Sequence, residues 1–352
     1  MDQVSRIGMD TSKRIFQLHG VDQAEQPVLR KKLRRREMMA FFERLPATQV
    51  AIEACGSAHH WGRLLGAMGH DVRLIAPQLA KPYVKRGKND AADAQALCEA
   101  MSRPTMRFVP VKTVDQQAAL MLASTRERLV RERTRLGNTI RGHAAEFGLV
   151  AATGPAQIAA LLAQVQADSG LPALVRELFA ELAEQFADLE RRVARADARL
   201  LAWHRENPAS KRLAAIPGIG PVTASLLVMK TPDPRAFRSG RDFAAWLGLT
   251  PKDHSTAGRV RLGGITRAGD ETLRSLLVVG ATSVIRHTRL GKARHRSPWL
   301  DALLARKCPK LAAIALANKT ARIAWKLLTS GAAYDAMRAR RAVAATPAPA
   351  AA

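Results

Sequence analysis

Residues 87–100 read GKNDAADAQALCEA, and after Asn89 this stretch is typical of an alanine-rich helix. Asp90 and Asp93 lie three residues apart in the first turn, so both carboxylates project from one face near the positive end of the helix dipole. Two such carboxylates can share a hard divalent cation such as Mg²⁺, which prefers oxygen ligands. The alternative is an ordinary capping box, which only stabilises the helix end. Acids from other parts of the chain must decide between these interpretations.

The composition indicates a polyanionic partner. The chain has 352 residues, enough for two or three domains, and its 56 Lys and Arg against 30 Asp and Glu give a net charge of +26. The cations are spread along the chain and no long apolar run interrupts them, which favours nucleic acid over a membrane surface. The amino terminus lacks a signal-peptide pattern, so we expect a cytoplasmic protein. Its three widely spaced cysteines predict reduced thiols.

The first third of the chain predicts an α/β domain with a mixed sheet. The expected elements are, in order, strands over 4–9, 14–21 and 28–33, a helix over 36–44, a strand over 48–54, a helix over 59–68 and a strand over 71–75. A meander of three strands followed by alternating strands and helices is typical of this architecture. We assign residues 1–106 to this domain.

The middle of the chain predicts two long helices. Leu122, Leu129 and Leu136 recur every seven residues within a helical pattern over 113–147, and a second such pattern covers 174–204. The two segments are expected to form an antiparallel helical hairpin or coiled coil over residues 107–206, used for dimerisation or spacing. Residues 151–172 connect them.

A mainly helical region follows over residues 207–333. It opens with Pro217-Gly218-Ile219-Gly220, which resembles a helix-hairpin-helix turn whose backbone N–H groups at Gly218 and Gly220 hold a DNA phosphate. A bare turn between helices is the alternative. Residues 235–352 hold 22 Lys and Arg against 6 Asp and Glu, so much of the positive charge lies here. The Ala- and Pro-rich tail, 334–352, is expected to be disordered.

Four acids in the first domain are expected to converge. Asp10 ends the first strand, Glu53 ends a later central strand, and Asp90 and Asp93 begin a helix that follows the sheet. If the strands of Asp10 and Glu53 are neighbours, all four carboxylates meet at one edge. That order of elements is the layout of a ribonuclease H or RuvC-like nuclease, whose four acids bind two Mg²⁺ for phosphodiester chemistry. Each acid alone could also be a turn, strand-end or cap residue.

A second constellation lies in the Gly-rich stretch 246–270. Its hydroxyls, at Ser255 and Thr256, are accompanied by Arg259, Arg261 and Arg267. A serine among guanidinium groups is suited to attack a phosphate, because the cations neutralise the developing charge. The alternative is a loop that grips phosphate without covalent chemistry.

Several segments together resemble the transposases of the insertion sequence 110 family, in the same order and at similar spacing over roughly residues 4–333. These segments are Ile7-Gly8-Met9-Asp10, Ile52-Glu53-Ala54-Cys55-Gly56, 85–94 (KRGKNDAADA), 246–251 (WLGLTP) and 263–270 (GGITRAGD). The resemblance implies a RuvC-like DEDD domain, a coiled-coil insertion and a carboxy-terminal transposase domain with a nucleophilic serine. It also implies a prokaryotic recombinase that is guided by a structured bridge RNA, which pairs with donor and target DNA.

Carried over by position, the resemblance assigns the metal ligands to Asp10, Glu53, Asp90 and Asp93, with two Mg²⁺ as cofactor, and the nucleophile to Ser255. Family loops often read His-Ser-Ser-Gly-Gly, whereas this one reads HSTAG over 254–258, which leaves Thr256 as a weaker candidate.

The expected partners are donor and target DNA, the bridge RNA and further copies of the chain in a dimer or tetramer, with a site that could be composite between subunits. Phosphate contacts are expected at Lys252, Arg259, Arg261 and Arg267; a solvated basic loop is the alternative. The basic run 30–36 could grip RNA backbone or simply be an exposed strand edge. Two rival functions are a metal-only RuvC-like endonuclease and a non-catalytic nucleic-acid-binding protein.

Overall fold

The computed structural model describes residues 4–84, 89–231, 233–292 and 297–335. Residues 85–88, which belong to one of the family-like segments, and residues 336–352 of the expected disordered tail lie outside these ranges. The chain divides into two compact units, Met1–Gln117 and Ala118–Ala352.

The first unit contains a six-stranded mixed sheet with the order β3-β2-β1-β4-β5-β6. The strands are β1 (Arg6–Asp10), β2 (Ile15–Val21), β3 (Pro27–Arg34), β4 (Gln49–Glu53), β5 (Asp71–Ile75) and β6 (Phe108–Val109). The pairs β1/β4 and β4/β5 are parallel, and the other neighbouring pairs are antiparallel. The predicted meander and mixed sheet are therefore confirmed, and β6 is an edge strand that the sequence did not indicate.

One face of the sheet carries the main core of this unit. Ile7, Met9 and Phe16 are completely buried on this face, together with Phe42 and Leu65 from the covering helices. These helices are α1 (Met38–Phe42) and α2 (Ala58–Ala67). Because side chains alternate along a strand, Gly8 and Asp10 project from the opposite face.

The opposite face is covered by the helix that begins at the acidic stretch. A short helix α3 (Pro77–Ala80) precedes it, and α4 (Asp90–Met101) then crosses the sheet. Leu97, Ala100 and Met101 of α4 form a second core cluster with Ala51 of β4 and Ile75 of β5. This packing holds α4 against β4 and β5, and the helix also lies over β1 and β2.

Gly8 allows an unusually close approach of α4 to β1. A Cβ atom at this position would lie 2.0 Å from the Ala94 carbonyl oxygen and 2.6 Å from the Cys98 amide nitrogen. Both atoms belong to the helix backbone, so no side-chain rotation could relieve the overlap. The absence of a side chain at residue 8 therefore determines how deep the start of α4 lies over the sheet.

We expect Gly8→Ala to lower the free energy of unfolding by about 2 kcal/mol, because α4 must move away from β1 to accommodate one methyl group. Urea unfolding followed by circular dichroism measures this change. The matched control is Gly66→Ala in α2, where a Cβ would have no atom within 4 Å. That variant should gain about 0.5 kcal/mol, because alanine is the better helix former. Equal stability of Gly8→Ala and the wild type would contradict the close packing.

The second unit contains two long helices that run antiparallel. They are α5 (Val114–Ala145) and α7 (Ala173–Glu206). Leu129 of α5 packs against Val193 and Ala196 of α7, and Arg126 forms an ion pair with Asp197. The expected helical hairpin is thus present. These contacts establish the direction of the two helices and leave a coiled-coil supercoil undemonstrated.

The three leucines of α5 that recur every seven residues pack against three different hydrophobic clusters. Leu122 packs against the large core of the unit, Leu129 against α7, and Leu136 against a cluster around Ile158 and Phe186. Ile158 lies on α6 (Ala156–Ala167), which occupies the predicted connection.

The remainder of the unit is a helical domain around one large core. Its elements are α8 (Pro208–Ala214), α9 (Pro221–Lys230), α10 (Gly240–Trp246), β7 (Pro251–Asp253), β8 (Leu262–Ile265), α11 (Glu271–Arg289), α12 (Pro298–Arg306) and α13 (Pro309–Ser330). Leu213, Leu226, Phe243, Leu277 and Ala321 are buried in this core. Within the described ranges, no helix has the length and apolar character needed to cross a membrane.

Candidate functional site

Two of the four predicted acids end neighbouring parallel strands. Asp10 is the last residue of β1 and Glu53 the last residue of β4, and these strands pair in register with Met9 opposite Ile52. Asp10 and Glu53 are the next residues after this pair, so they lie side by side at the carboxyl end of the two parallel strands. Both residues also project from the face that α4 covers.

The other two acids begin α4 directly above this strand end. Asp90, Ala94 and Cys98 are spaced by four residues and so lie on one side of the helix. Since Ala94 and Cys98 contact Gly8, and Gly8 shares a sheet face with Asp10, the first turn of α4 lies over Asp10. Asp93 occupies the same turn.

Asn89 resolves the capping alternative that the sequence left open. Its side-chain Oδ1 accepts a hydrogen bond from the Ala92 amide at 2.8 Å, which caps the helix. A capping box would need an acid at the third helical residue, and that residue is Ala92. Neither Asp90 nor Asp93 therefore occupies the acid position of a capping box.

The four acids repel one another electrostatically. Burial, followed by the charges of Asp90, Asp93 and Glu53, raises the pKa of Asp10 from 3.8 to about 6. Burial and the charge of Asp93 also raise the pKa of Glu53. Among the ion pairs formed by described residues, none involves any of these four carboxylates. The cluster is thus a concentration of negative charge that no ion pair within the described part of the chain neutralises.

The donor set fits a hard divalent cation. All four groups are carboxylates, the ligand type that Mg²⁺ prefers, and a cation would relieve their repulsion. As the side chains are placed, no group of three or more His, Cys, Asp or Glu among the described residues is arranged closely enough to form a ready-made ligand shell. The backbone already brings the four acids together, but their side chains must rotate before they can coordinate a cation jointly.

Polar side chains outside the predicted set of site residues connect the two strand ends. The hydroxyl of Thr11, which follows Asp10, lies 3.2 Å from the Cys55 sulfur, and Cys55 lies 3.6 Å from the Ser57 hydroxyl. Although burial opposes it, hydrogen bonds from Thr11 and Ser57 lower the pKa of the Cys55 thiol. The available signal was a hydroxyl group shortly after each strand, at Thr11 directly after β1 and at Ser57 four residues after Glu53.

Ser255 lies on an exposed β-hairpin, where the sequence predicted a loop. Strands β7 and β8 pair antiparallel with Asp253 opposite Leu262, and Thr256 bridges to Arg259. The two residues at the tip, Ala257 and Gly258, have φ angles of 48° and 77°. Positive φ at both central residues is typical of a type I′ turn, which matches the twist of a hairpin.

Asp253 holds Ser255 in place through hydrogen bonds. The Ser255 amide donates to Asp253 Oδ1 at 2.9 Å, and the Ser255 Oγ accepts from the Arg261 amide at 3.1 Å. Hydrogen bonds from the Ser255 side chain and backbone hold the pKa of Asp253 below its usual range. Asp253 was not among the residues expected from the sequence, although an acid two residues before the serine was a visible signal.

The hairpin separates the two candidate hydroxyls. Residues directly opposite in an antiparallel pair share a face, and successive residues alternate between faces. The register therefore groups Ser255 with Asp253, Val260 and Leu262 on one face. The other face carries Lys252, His254, Thr256, Arg259 and Arg261. The backbone thus places Arg259 and Arg261 on the side of Thr256.

The remaining predicted phosphate contacts lie in different surroundings. Arg267 is exposed beyond β8, with its backbone amide donating to the Gly248 carbonyl at 3.2 Å. Gly218 packs against α11, because a Cβ there would lie 2.9 Å from the Gly280 carbonyl oxygen. Gly220 is exposed at the start of α9, where a Cβ would meet no atom within 4 Å. Of the two glycines, Gly220 is the more exposed.

Comparison with known proteins identifies the family. A model named DEDD_Tnp_IS110 and described as a transposase matches residues 7–148, a range that contains all four acids. The model of the transposase IS116/IS110/IS902 family matches residues 210–296, which contain Ser255. A putative transposase of Sinorhizobium fredii, y4pF/y4sB, is 66% identical over 95% of this chain and 86% of its own length. The chain belongs to the IS110 family of transposases.

Other members of the family are similar over nearly the same length. A probable family 20 transposase of Pseudomonas aeruginosa is 50% identical over 94% of this chain and 98% of its own length. The transposase for insertion sequence element IS1111A of Coxiella burnetii is 37% identical over 95% of this chain and 92% of its own length. The resemblance drawn from the sequence motifs to IS110-family transposases is therefore confirmed.

Proposed function

We propose that this IS110-family transposase cuts and rejoins donor and target DNA under the guidance of a structured bridge RNA. The convergence of Asp10, Glu53, Asp90 and Asp93 over the ends of β1 and β4 carries this proposal. The strand order β3-β2-β1-β4-β5, with its antiparallel meander and parallel centre, supports a RuvC-like domain of the ribonuclease H type over residues 1–106.

The four carboxylates would hold two Mg²⁺ ions. When bound, the metal supplies Lewis-acid stabilisation of charge on the scissile phosphate and on the leaving oxygen. The protein contributes a rigid support, because two ligands end hydrogen-bonded strands and two lie in the first turn of a packed helix.

Ser255 is proposed as the nucleophile. Its Oγ forms a bond to phosphorus while the bond from phosphorus to one deoxyribose oxygen breaks; the serine loses a proton and the departing oxygen gains one. One phosphoester is exchanged for another, so no nucleotide energy source is needed. Asp253 orients the hydroxyl through the hydrogen bonds that lower its own pKa. Attack by the incoming hydroxyl group after strand exchange reverses the step and releases Ser255.

Basic residues of the second unit are proposed to contact DNA phosphates. Lys252, Arg259 and Arg261 share one face of the hairpin, which makes a cationic surface beside the nucleophile-bearing face. Arg267 and the exposed backbone at Gly220 are further candidates.

The remaining assignments follow from the same proposal. Residues 107–206 would form a coiled coil that joins subunits into a dimer or tetramer, residues 207–333 the transposase domain, and 334–352 a disordered tail. The protein would act in the prokaryotic cytoplasm, on the nucleoid.

A metal-only RuvC-like endonuclease is the second candidate. The hairpin register favours it, because Arg259 and Arg261 lie on the face of Thr256 and the cations do not surround Ser255. In that case Ser255 would only bind phosphate. The non-catalytic nucleic-acid-binding alternative conflicts with the membership of the chain in a transposase family.

A denaturing gel distinguishes these candidates. Protein, Mg²⁺, the element's own RNA and end-labelled DNA carrying the element's end are incubated, denatured and separated. We expect a protein-linked DNA band that disappears in Ser255→Ala, because the phosphoserine bond survives denaturation and alanine cannot form it.

Thr256→Ala is the matched control, since this hydroxyl lies on the other face of the same hairpin and its variant should retain the band. Cleavage without a linked band in the wild type, unchanged in Ser255→Ala, would identify a metal-only endonuclease. A band lost only in Thr256→Ala would transfer the nucleophile to that residue.

A further inference from the structure

An open groove of about 410 Å³ lies beside the acid cluster on the α4 face of the sheet. One wall is formed by β2 and β3, and the other by the first two turns of α4. The side chains that matter to its chemistry are Gln17, Arg30, Lys32, Asn89 and Gln95. The groove is therefore lined by cations and amides, without a carboxylate among its lining residues.

The strand register places this groove in line with the acids. Asp10 of β1 pairs with Gln17 of β2, and Gln17 pairs with Lys32 of β3, so these three residues form one row across the sheet. Arg30 pairs with His19 two rows further along, which is the next row on the same face of the sheet. Neighbouring strands are about 4.8 Å apart, so the backbone of Lys32 lies roughly 10 Å from that of Asp10. At that distance Lys32 can contact the backbone of a strand that is bound at the acids.

Among the residues that the structure describes, the side chains of Arg30 and Lys32 form no ion pair. The ion pairs of described residues in this unit use Arg6, Arg73 and Arg103 as the basic partners. Lys31 faces the opposite side of the sheet, where its Nζ lies 5.1 Å from the centre of the Phe41 ring. Lys31 also borders the groove, but its ammonium group lies over Phe41, so Arg30 and Lys32 are the two cations of this strand on the groove face.

We propose that this groove binds the phosphate backbone of the DNA strand being cut, with Lys32 and Arg30 contacting phosphates close to the scissile one. The amides of Gln17 and Gln95 donate hydrogen bonds to the same backbone. DNA is favoured over RNA as the occupant because the groove leads directly to the acids, where the cut strand must lie. This assignment rests on the proposed nuclease role of the acids.

The salt dependence of DNA binding tests the groove. The full-length chain is titrated onto a fluorescent single-stranded DNA of about 20 nucleotides, and in parallel onto RNA of the same sequence, at about 50 to 300 mM salt. Ca²⁺ replaces Mg²⁺, so that a cation of the same charge is present during binding. The groove variant is Arg30→Gln with Lys32→Gln. The control is Arg44→Gln with Arg107→Gln, which removes two exposed cations outside the groove.

We expect the groove variant to reduce the slope of log affinity against log salt by about 1.4 for DNA, since each lost phosphate contact on a single strand contributes about 0.7. The control should change this slope by less than half as much. Equal slopes for the groove variant and the control would overturn the proposal, and a reduction confined to RNA would assign the groove to RNA and overturn it too.

Circular dichroism and thermal unfolding show whether the variants are folded. The proposed function is judged separately, by Mg²⁺-dependent cleavage in the wild type and in Asp10→Asn. A normal cleavage result with unchanged binding slopes would reject the groove alone, whereas reduced slopes with unimpaired cleavage in Asp10→Asn would reject the nuclease role alone.

Discussion

Asp10→Asn is expected to reduce Mg²⁺-dependent DNA cleavage by at least about 1,000-fold, which corresponds to roughly 4 kcal/mol of transition-state stabilisation. Asparagine keeps the size of the side chain but loses the negative charge that a divalent cation requires. Quantified cleavage of end-labelled DNA with the element's RNA measures the loss. Asp71→Asn is a suitable control, because Asp71 lies at the start of β5 and pairs with Arg73 on the surface. Residual activity within tenfold of the wild type would exclude Asp10 as an essential ligand.

The same substitution should stabilise the metal-free protein. Since burial and three neighbouring acids raise the pKa of Asp10 from 3.8 to about 6, the folded state holds the proton more tightly than the unfolded chain does. The unfolding free energy of the wild type therefore falls as the pH rises from about 4 to about 6. Because Asp10 is only half-buried and solvent screens its charge, we expect its ionisation to destabilise the folded wild type by about 1–2 kcal/mol.

Thermal unfolding in the presence of a chelator, at about pH 5 and about pH 7.5, measures this effect. We expect Asp10→Asn to exceed the wild type in stability at the higher pH and to lose that advantage at the lower one. Mg²⁺ should stabilise the wild type at the higher pH and have little effect on the variant. A variant that is less stable than the wild type at both pH values would contradict the repulsion among the acids.

Lys230→Met is expected to have the largest effect on folding, lowering the free energy of unfolding by about 2–4 kcal/mol. Lys230 ends α9 and is only 11% exposed; its Nζ forms an ion pair with Glu127 of α5 and lies 2.7 Å from Asp270. Methionine keeps most of the apolar stem, so the loss would come from two nearly buried carboxylates left without a cation. Urea unfolding of the full chain measures the change.

Removing all three charges together distinguishes this cause from lost packing. The combination Glu127→Gln, Lys230→Met and Asp270→Asn should recover most of the stability, because no uncompensated charge remains. Asp270 caps α11 by accepting a hydrogen bond from the Leu273 amide at 2.8 Å, and the amide oxygen of an asparagine can accept the same bond. Lys310→Met, at an exposed position of α13, should have little effect. If the triple variant is as unstable as Lys230→Met, packing rather than charge is responsible.

The acid cluster was predictable because each acid occupies a regular element with clear limits. Asp10 and Glu53 end apolar strands, and Asp90 and Asp93 follow a helix cap, so their placement depended only on the order of the strands. The exact depth of α4 was not predictable, because it depends on the missing side chain of Gly8 meeting a distant backbone. Sequence patterns describe local periodicity and contain little information on such long-range contacts.

The hairpin that carries Ser255 escaped prediction for a different reason. Its strands have three and four residues, are almost entirely exposed and contain Gly263 and Gly264, so no alternation of apolar and polar residues marks them. The two-residue turn depends on Ala257 adopting a positive φ, which alanine seldom does. The sequence therefore indicated that hydroxyl groups and arginines occur together in this segment. It did not indicate that Ser255 and Thr256 lie on opposite faces of a hairpin.

The two edge strands of the six-stranded sheet, β3 and β6, influence whether the protein aggregates at high concentration. An exposed outer strand offers unpaired amide and carbonyl groups to any other chain, which is a common route to aggregation. At one margin β6 is only two residues long, and at the other β3 begins with Pro27 and carries Arg30, Lys31 and Lys32. The short length of β6 limits pairing at the first edge, and repulsion between the positive charges of two copies of β3 limits it at the second. The sheet is therefore protected against edge-to-edge association with another copy of the chain, even in the absence of nucleic acid.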